Sequence, residues 1–181
     1  LNVTMGTILA FAGSNSSSSI NFKLVKYTSG LIADYKVQLL NMANLPFPMY
    51  SEDHEKENGF SNSLVEIKND IQRADGLIIS VNEHNSNPSA YFKNFLDWLS
   101  RLDKNFLEGK KVLLMSTSPG GRGAKGAHDI IKDLLPRFGA TLVISFSLPS
   151  FSKNFEEGKG ITDPELSIAH QKALTDFLAE I

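Results

Sequence analysis

Apolar and polar positions alternate along the chain in blocks. Thr7–Ala12 is a short apolar run of strand-forming residues closed by Gly13, the pattern of a strand buried on both faces of a sheet. Ile20, Leu24, Val25, Leu31 and Ile32 then recur at helical spacing, so a helix is expected over Ile20–Ile32. Lys36–Leu40 predicts a second strand, and Gly76–Val81 and Lys111–Met115 the third and fourth, with Ala140–Phe146 as the fifth. Helices are expected after Ser61, with Leu64, Ile67 and Ile71 on one face, and over Ser89–Leu102, with Phe92, Phe95, Leu96 and Leu99 inward. A further helix is expected over Ala124–Phe138, ended by Gly139, and a last one opens at Asp163-Pro164 and runs to Ile181. Asn44–Phe60, with two prolines and a charge run, predicts a long loop, as does Lys153–Gly160.

Alternation of strands and helices predicts an α/β fold with a parallel sheet covered on both faces, as a single domain over residues 1–181. In such sheets ligands lie beyond the carboxyl ends of the strands, where strand order reverses. Polar loops follow the first, third and fourth strands: Ser14–Ser19, Asn82–Pro88 and Ser116–Gly121. A flavodoxin-like order, 2-1-3-4-5, brings them side by side. The first of these, Ser14, Asn15 and then Ser16 to Ser19, precedes a helix N-terminus, where hydroxyls and backbone N–H groups converge on an anion, most often a phosphate. A serine linker is the alternative, but linkers do not normally join a buried strand to an amphipathic helix.

Composition removes other chemistries. The 181 residues carry a formal charge of -2, which gives no electrostatic case for nucleic acid or an anionic membrane. The chain has no cysteine, hence no disulfide, thiolate metal site or thiol nucleophile. The four histidines are scattered without ligand spacing, and no metal site is expected. No apolar run reaches membrane-spanning length and no signal-peptide pattern opens the sequence, so a cytoplasmic protein is expected. The glycosylation patterns at Asn2-Val3-Thr4 and Asn15-Ser16-Ser17 carry no meaning without a secretory route. Gly121-Arg122-Gly123-Ala124-Lys125-Gly126 satisfies G-x-G-x-x-G, yet the following strand ends in Ser147-Leu148-Pro149 with no acid for a ribose, so it reads as a flexible glycine loop. Asp97-Trp98 reads either as core and cap or as a contact with a partner subunit.

Three ordered motifs carry a family resemblance. Gly13-Ser14-Asn15-Ser16-Ser17-Ser18-Ser19-Ile20-Asn21 resembles the G-S-x-R-x-x-S-x-N loop of NADPH-dependent FMN reductases. Glu83-His84-Asn85 followed by Phe92-Lys93-Asn94-Phe95-Leu96-Asp97-Trp98 is similar to that family's E-Y-N … L-K-N-A-I-D-W segment, and Ser118-Pro119-Gly120-Gly121 resembles its third flavin loop. The chain departs from the pattern at Ser16, where the family has arginine, at His84, where it has tyrosine, and at Asn82 and Pro88, where its prolines are shifted.

The resemblance implies a flavodoxin-like three-layer sandwich and a non-covalent FMN. It implies NAD(P)H as electron donor, with a quinone, azo compound, flavin or other small molecule as acceptor. The cofactor-binding residues it implies are Ser14, Ser16, Ser19, Ile20 and Asn21 for the phosphate. Glu83, His84 and Asn85 would flank the ring, with Ser116, Thr117, Ser118, Pro119, Gly120 and Gly121 at the pyrimidine edge. No side chain is required as catalytic acid or base. A homodimer or homotetramer is expected, its interface near Phe47, Tyr50, Phe60 and Tyr91. A flavodoxin-like electron carrier without NAD(P)H activity is the alternative, although such carriers are usually more acidic than this chain.

Overall fold

The computed structural model describes residues 5–181, and the Asn2-Val3-Thr4 pattern lies outside them. In chain order the elements are β1 (Gly6–Ala12), α1 (Ile20–Gly30), β2 (Tyr35–Leu40), α2 (Glu52–Asn58), α3 (Asn62–Arg73) and β3 (Gly76–Val81). The short strands β4 (Glu83–His84) and β5 (Asn87–Pro88) follow, then α4 (Ala90–Leu102), β6 (Lys111–Thr117), α5 (Lys125–Leu134) and β7 (Leu142–Leu148). The chain continues through α6 (Phe151–Asn154), β8 (Phe155–Glu156), β9 (Gly160–Ile161) and α7 (Pro164–Leu178).

The central sheet is β2-β1-β3-β6-β7 with every pairing parallel, which is the expected 2-1-3-4-5 order when only its own strands are counted. Successive side chains of a strand point to opposite faces, and the two faces build two cores. Leu9, Phe11, Leu77, Ile79 and Leu114 pack with Leu64, Ile67 and Ile71 of α3, Phe92 and Phe95 of α4, and Ile131 of α5. Ile8, Ala10, Ile78, Leu113 and Met115 pack with Leu24 and Val25 of α1 and with Leu174 and Phe177 of α7.

Three segments differ from expectation. The first is Asn44–Phe60, which contains α2. Ser51 caps that helix by accepting the His54 N–H, Glu52, Asp53 and Glu55 fill its first turn, and Gly59 ends it at φ 67°. None of its residues is buried, so no apolar period announced it. It is held instead by Arg101 of α4, which donates to both Glu55 carboxylate oxygens at 2.9 and 3.1 Å. Second, Asn82–Pro88, expected as a polar loop, holds the tight β4–β5 hairpin. Third, Lys153–Gly160 holds the end of α6 and the β8–β9 hairpin.

Candidate functional site

β2 leaves β1 on one side and β3 returns on the other, so strand order reverses between β1 and β3. The loops after β1, β3 and β6 meet beyond that point around a cleft of about 170 Å³, lined by Ser14, Ser19, Asn82, Glu83, His84 and Ser118 among others. This is the place where open α/β sheets take ligands.

The first loop begins at Gly13, whose N–H donates to Ser80 O at 2.9 Å. A Cβ there would lie 2.7 Å from the Phe92 ring, so only glycine lets the chain pass over α4. The serine run then folds on itself. The Ser14 hydroxyl accepts from the Ser16 N–H at 3.2 Å and the Ser16 hydroxyl from the Ser18 N–H at 3.3 Å. Ser19 caps α1 by accepting from the Phe22 N–H at 3.1 Å. Ser14 and Ser19 accept through oxygen, and each hydroxyl keeps its proton to donate. The backbone N–H groups of Ile20 and Asn21 reach no acceptor among the described residues, which leaves the positive end of the α1 dipole on the cleft. Lys23 stands one turn inside α1 but pairs with Glu157 at 3.2 Å.

Asn21 is buried and its side chain is committed. Its Oδ1 accepts from the Ser80 hydroxyl and the Thr117 N–H, and its Nδ2 donates to Thr117 O. It therefore ties the first loop to the ends of β3 and β6.

In the second loop, Asn85 and Ser86 take φ values of 54° and 61°, the left-handed pair that closes a two-residue hairpin. His84 and Asn85 are exposed on the hairpin. Glu83 is turned away from solvent toward α5, where Oε2 accepts the Ala127 N–H at 2.9 Å. Asn82 lines the cleft, and its Oδ1 is buried without a hydrogen-bond partner among the described residues.

The third loop starts later than its hydroxyl-rich sequence suggests. Ser116 and Thr117 belong to β6 and are buried. The Thr117 hydroxyl donates to Leu148 O at 2.7 Å. The Ser116 hydroxyl donates to Gly123 O at 2.7 Å, which also accepts from Ser147. His128 Nδ1 lies 3.0 Å from Ser116 Oγ, and burial pushes its pKa down to about 4, so the imidazole is neutral. Beyond them Ser118 to Gly121 form the exposed arc, in which the Gly120 and Gly121 N–H groups reach no acceptor among the described residues.

The glycine run that follows is packed, not flexible. Gly123 sits at φ 58° against Ser147 and Leu148, and Gly126 sits against the Ser86 carbonyl. Gly123 and Gly126 thus have a packing reason, whereas a Cβ at Gly121 would meet nothing closer than 4.0 Å. Trp98 is buried, its Nε1 donating to Pro48 O at 2.8 Å, which makes it core of this chain. Phe47 stacks on Phe95, and the Tyr91 hydroxyl donates to Leu45 O. Both contacts hold the segment after β2.

Of the expected site residues, the structure brings together Ser14, Ser19, Ile20, Asn21, Glu83, His84, Thr117, Ser118 and Pro119 on one cleft, with Ser16, Asn85, Gly120 and Gly121 in the same three loops. Ser116 is fully buried and does not line the cleft. Sequence reasoning missed Asn82, as well as Gly126 and His128, which brace the walls. Gly126 was legible as the third glycine of a spaced set, since such glycines mark close backbone approach.

Comparison with known proteins follows the same outline. The family model for NADPH-dependent FMN reductase matches residues 7–153. The chain is 34% identical over 88 residues to a quinone reductase of Escherichia coli (strain K12), a match covering 49% of this chain and 47% of that relative, about half the length of each. It is 30% identical over 127 residues to a 2-hydroxy-1,4-benzoquinone reductase of a Burkholderia species, covering 69% of this chain and 67% of that one. Its fold is similar to that of FerB, a flavoenzyme NAD(P)H:(acceptor) oxidoreductase from Paracoccus denitrificans, with a TM-score of 0.77 over 96% of both chains at 24% identity.

Proposed function

Because the chain belongs to the NADPH-dependent FMN reductase family, we propose that it binds FMN non-covalently in the three-loop cleft and passes electrons from NAD(P)H to a small acceptor such as a quinone, azo compound or flavin. The observation that carries this reading is the set of unspent donors at the head of α1, where the Ile20 and Asn21 amides and the Ser14 and Ser19 hydroxyls face one cleft with no lysine or arginine lining it among the described residues. A phosphate dianion fits such a neutral, dipole-backed cradle.

Ser14, Ser16, Ser19, Ile20 and Asn21 would hold the phosphate, with Asn21 contributing its backbone because its side chain is committed elsewhere. His84 and Asn85, on the wall set by Glu83, and the arc from Ser118 to Gly121 would hold the ring system, with Ser116 and Thr117 anchoring that arc from inside. Bound FMN supplies the two-electron redox chemistry for which the chain has no side chain of its own. The protein's part is orientation and fixed dipoles. The Gly120 and Gly121 N–H groups are already in place, so they stabilise negative charge without reorganising.

The functional unit we propose is a cytoplasmic single domain over residues 1–181, assembled as a homodimer or homotetramer. Titration of the apo protein with FMN, followed by steady-state NAD(P)H oxidation with a quinone, tests the reading. Saturable quenching of flavin fluorescence at one FMN per chain and acceptor-dependent oxidation are expected. Absence of either overturns it, and FMN binding without NAD(P)H oxidation would instead make the protein a carrier.

A further inference from the structure

We propose that Glu83 is a positioning residue whose carboxylate locks the β4–β5 hairpin to the start of α5, so that two of the three loops form one rigid wall of the cleft. Helix α5 begins without a cap of its own, because Ala124 sits at its head in the left-handed region at φ 62° and has no side-chain acceptor. Glu83 supplies the missing acceptor from 44 positions away, through Oε2 to the Ala127 N–H at 2.9 Å. A carboxylate at that position also meets the positive end of the helix dipole.

Gly126 makes the approach possible. A Cβ built there would lie 2.7 Å from the Ser86 carbonyl oxygen and 2.8 Å from Glu83 Oε2. Gly126 is not among the glycines with positive φ, so its backbone would accept alanine, and only the hairpin excludes it. Helical glycine is otherwise disfavoured against alanine. The left-handed Asn85 and Ser86 turn presents that carbonyl to Gly126. Cap, glycine and turn are therefore one device, and it fixes His84 and Asn85 relative to Ser118–Gly121.

The lock itself follows from the protein's contacts, while its effect on FMN rests on the cleft reading above. The test compares the full chain with Glu83→Ala, Glu83→Gln and Gly126→Ala by hydrogen exchange and FMN titration. Glu83→Ala and Gly126→Ala should speed exchange of the amides of 84–87 and 125–128 and weaken FMN binding about tenfold, the scale of a lost cap. Glu83→Gln retains an acceptor oxygen and should stay within about twofold of the parent on both readouts. Unchanged exchange in Glu83→Ala overturns the lock. A Glu83→Gln variant with parental exchange and FMN binding as weak as Glu83→Ala overturns the positioning role, because the charge would then act on the ligand directly. A parent that takes up no FMN sinks the cleft reading alone, and the exchange comparison still decides the lock.

Discussion

Asn21 and Thr117 clasp each other across the head of the sheet: Asn21 Nδ2 donates to Thr117 O at 3.1 Å, and the Thr117 N–H donates back to Asn21 Oδ1 at 3.0 Å. The Ser80 hydroxyl donates to the same Oδ1 at 2.7 Å. Asn21→Leu strands all three partners in a site closed to water. Each stranded group costs about 1–3 kcal/mol, so urea unfolding should show a loss of at least about 3 kcal/mol. A loss too small to measure would mean that water replaces the carboxamide.

Ser19 has two tasks that separate experimentally. Ser19→Ala removes the α1 cap, costing about 1 kcal/mol of stability, and removes a phosphate donor. Ser14→Ala removes a donor without touching the cap. Both should weaken FMN binding by roughly one to two decades, with only Ser19→Ala lowering the unfolding midpoint. Parental FMN affinity in both variants would relocate the phosphate.

Among the described residues no lysine or arginine lines the cleft, which predicts a weak salt dependence. Lys23 is held by Glu157, so Lys23→Met should change FMN affinity by no more than about twofold. Ser16→Arg should tighten binding and introduce salt sensitivity. A tenfold loss in Lys23→Met, read by titration at low and high salt, would show the lysine reaching the phosphate.

His128 and His170 set an acid limit. Burial pushes both down to about 4, whereas in the unfolded chain each takes up its proton near pH 6.5, about the ordinary histidine value. The unfolded state binds more protons throughout that window. Their contribution is therefore complete above about pH 6.5 and is lost as pH falls toward 4. Urea midpoints should decline steadily from about pH 7 to about pH 4.5, with each histidine accounting for up to about 3 kcal/mol. His170→Gln should lower stability at neutral pH and make that slope shallower; an unchanged slope would assign the acid sensitivity elsewhere.

The sheet was legible because its inner strands β1, β3 and β6 are largely buried on both faces and read as apolar runs, such as Leu77–Ile79. The cleft was legible because a serine run between strand and helix has little to do in a core. Helix α2 was hidden by having no apolar face, and its evidence lay only in Ser51, its acidic first turn and Gly59. Ser116 and Thr117 looked like loop because hydroxyls look solvated. Their partners, Gly123, Leu148 and Asn21, come from other parts of the chain and have no signature beside them. Glu83 lines the cleft, but the Ala127 contact that occupies it depends on how close the hairpin comes to α5.

Trp98 gives the protein an optical gauge of a single region. It is the chain's one tryptophan, and the segment after β2 supplies its hydrogen-bond acceptor and three ring neighbours: Pro48 accepts its Nε1–H, and Tyr50, His54 and Phe60 meet its ring edge-on. Its emission therefore follows the seating of residues 47–60, while the far-ultraviolet dichroism follows the helices and sheet as a whole. In denaturant the two signals can be read from one cuvette. Emission that shifts first would mark this segment as a unit that detaches below the global transition, and coincident curves would place it in the same cooperative block as the sheet.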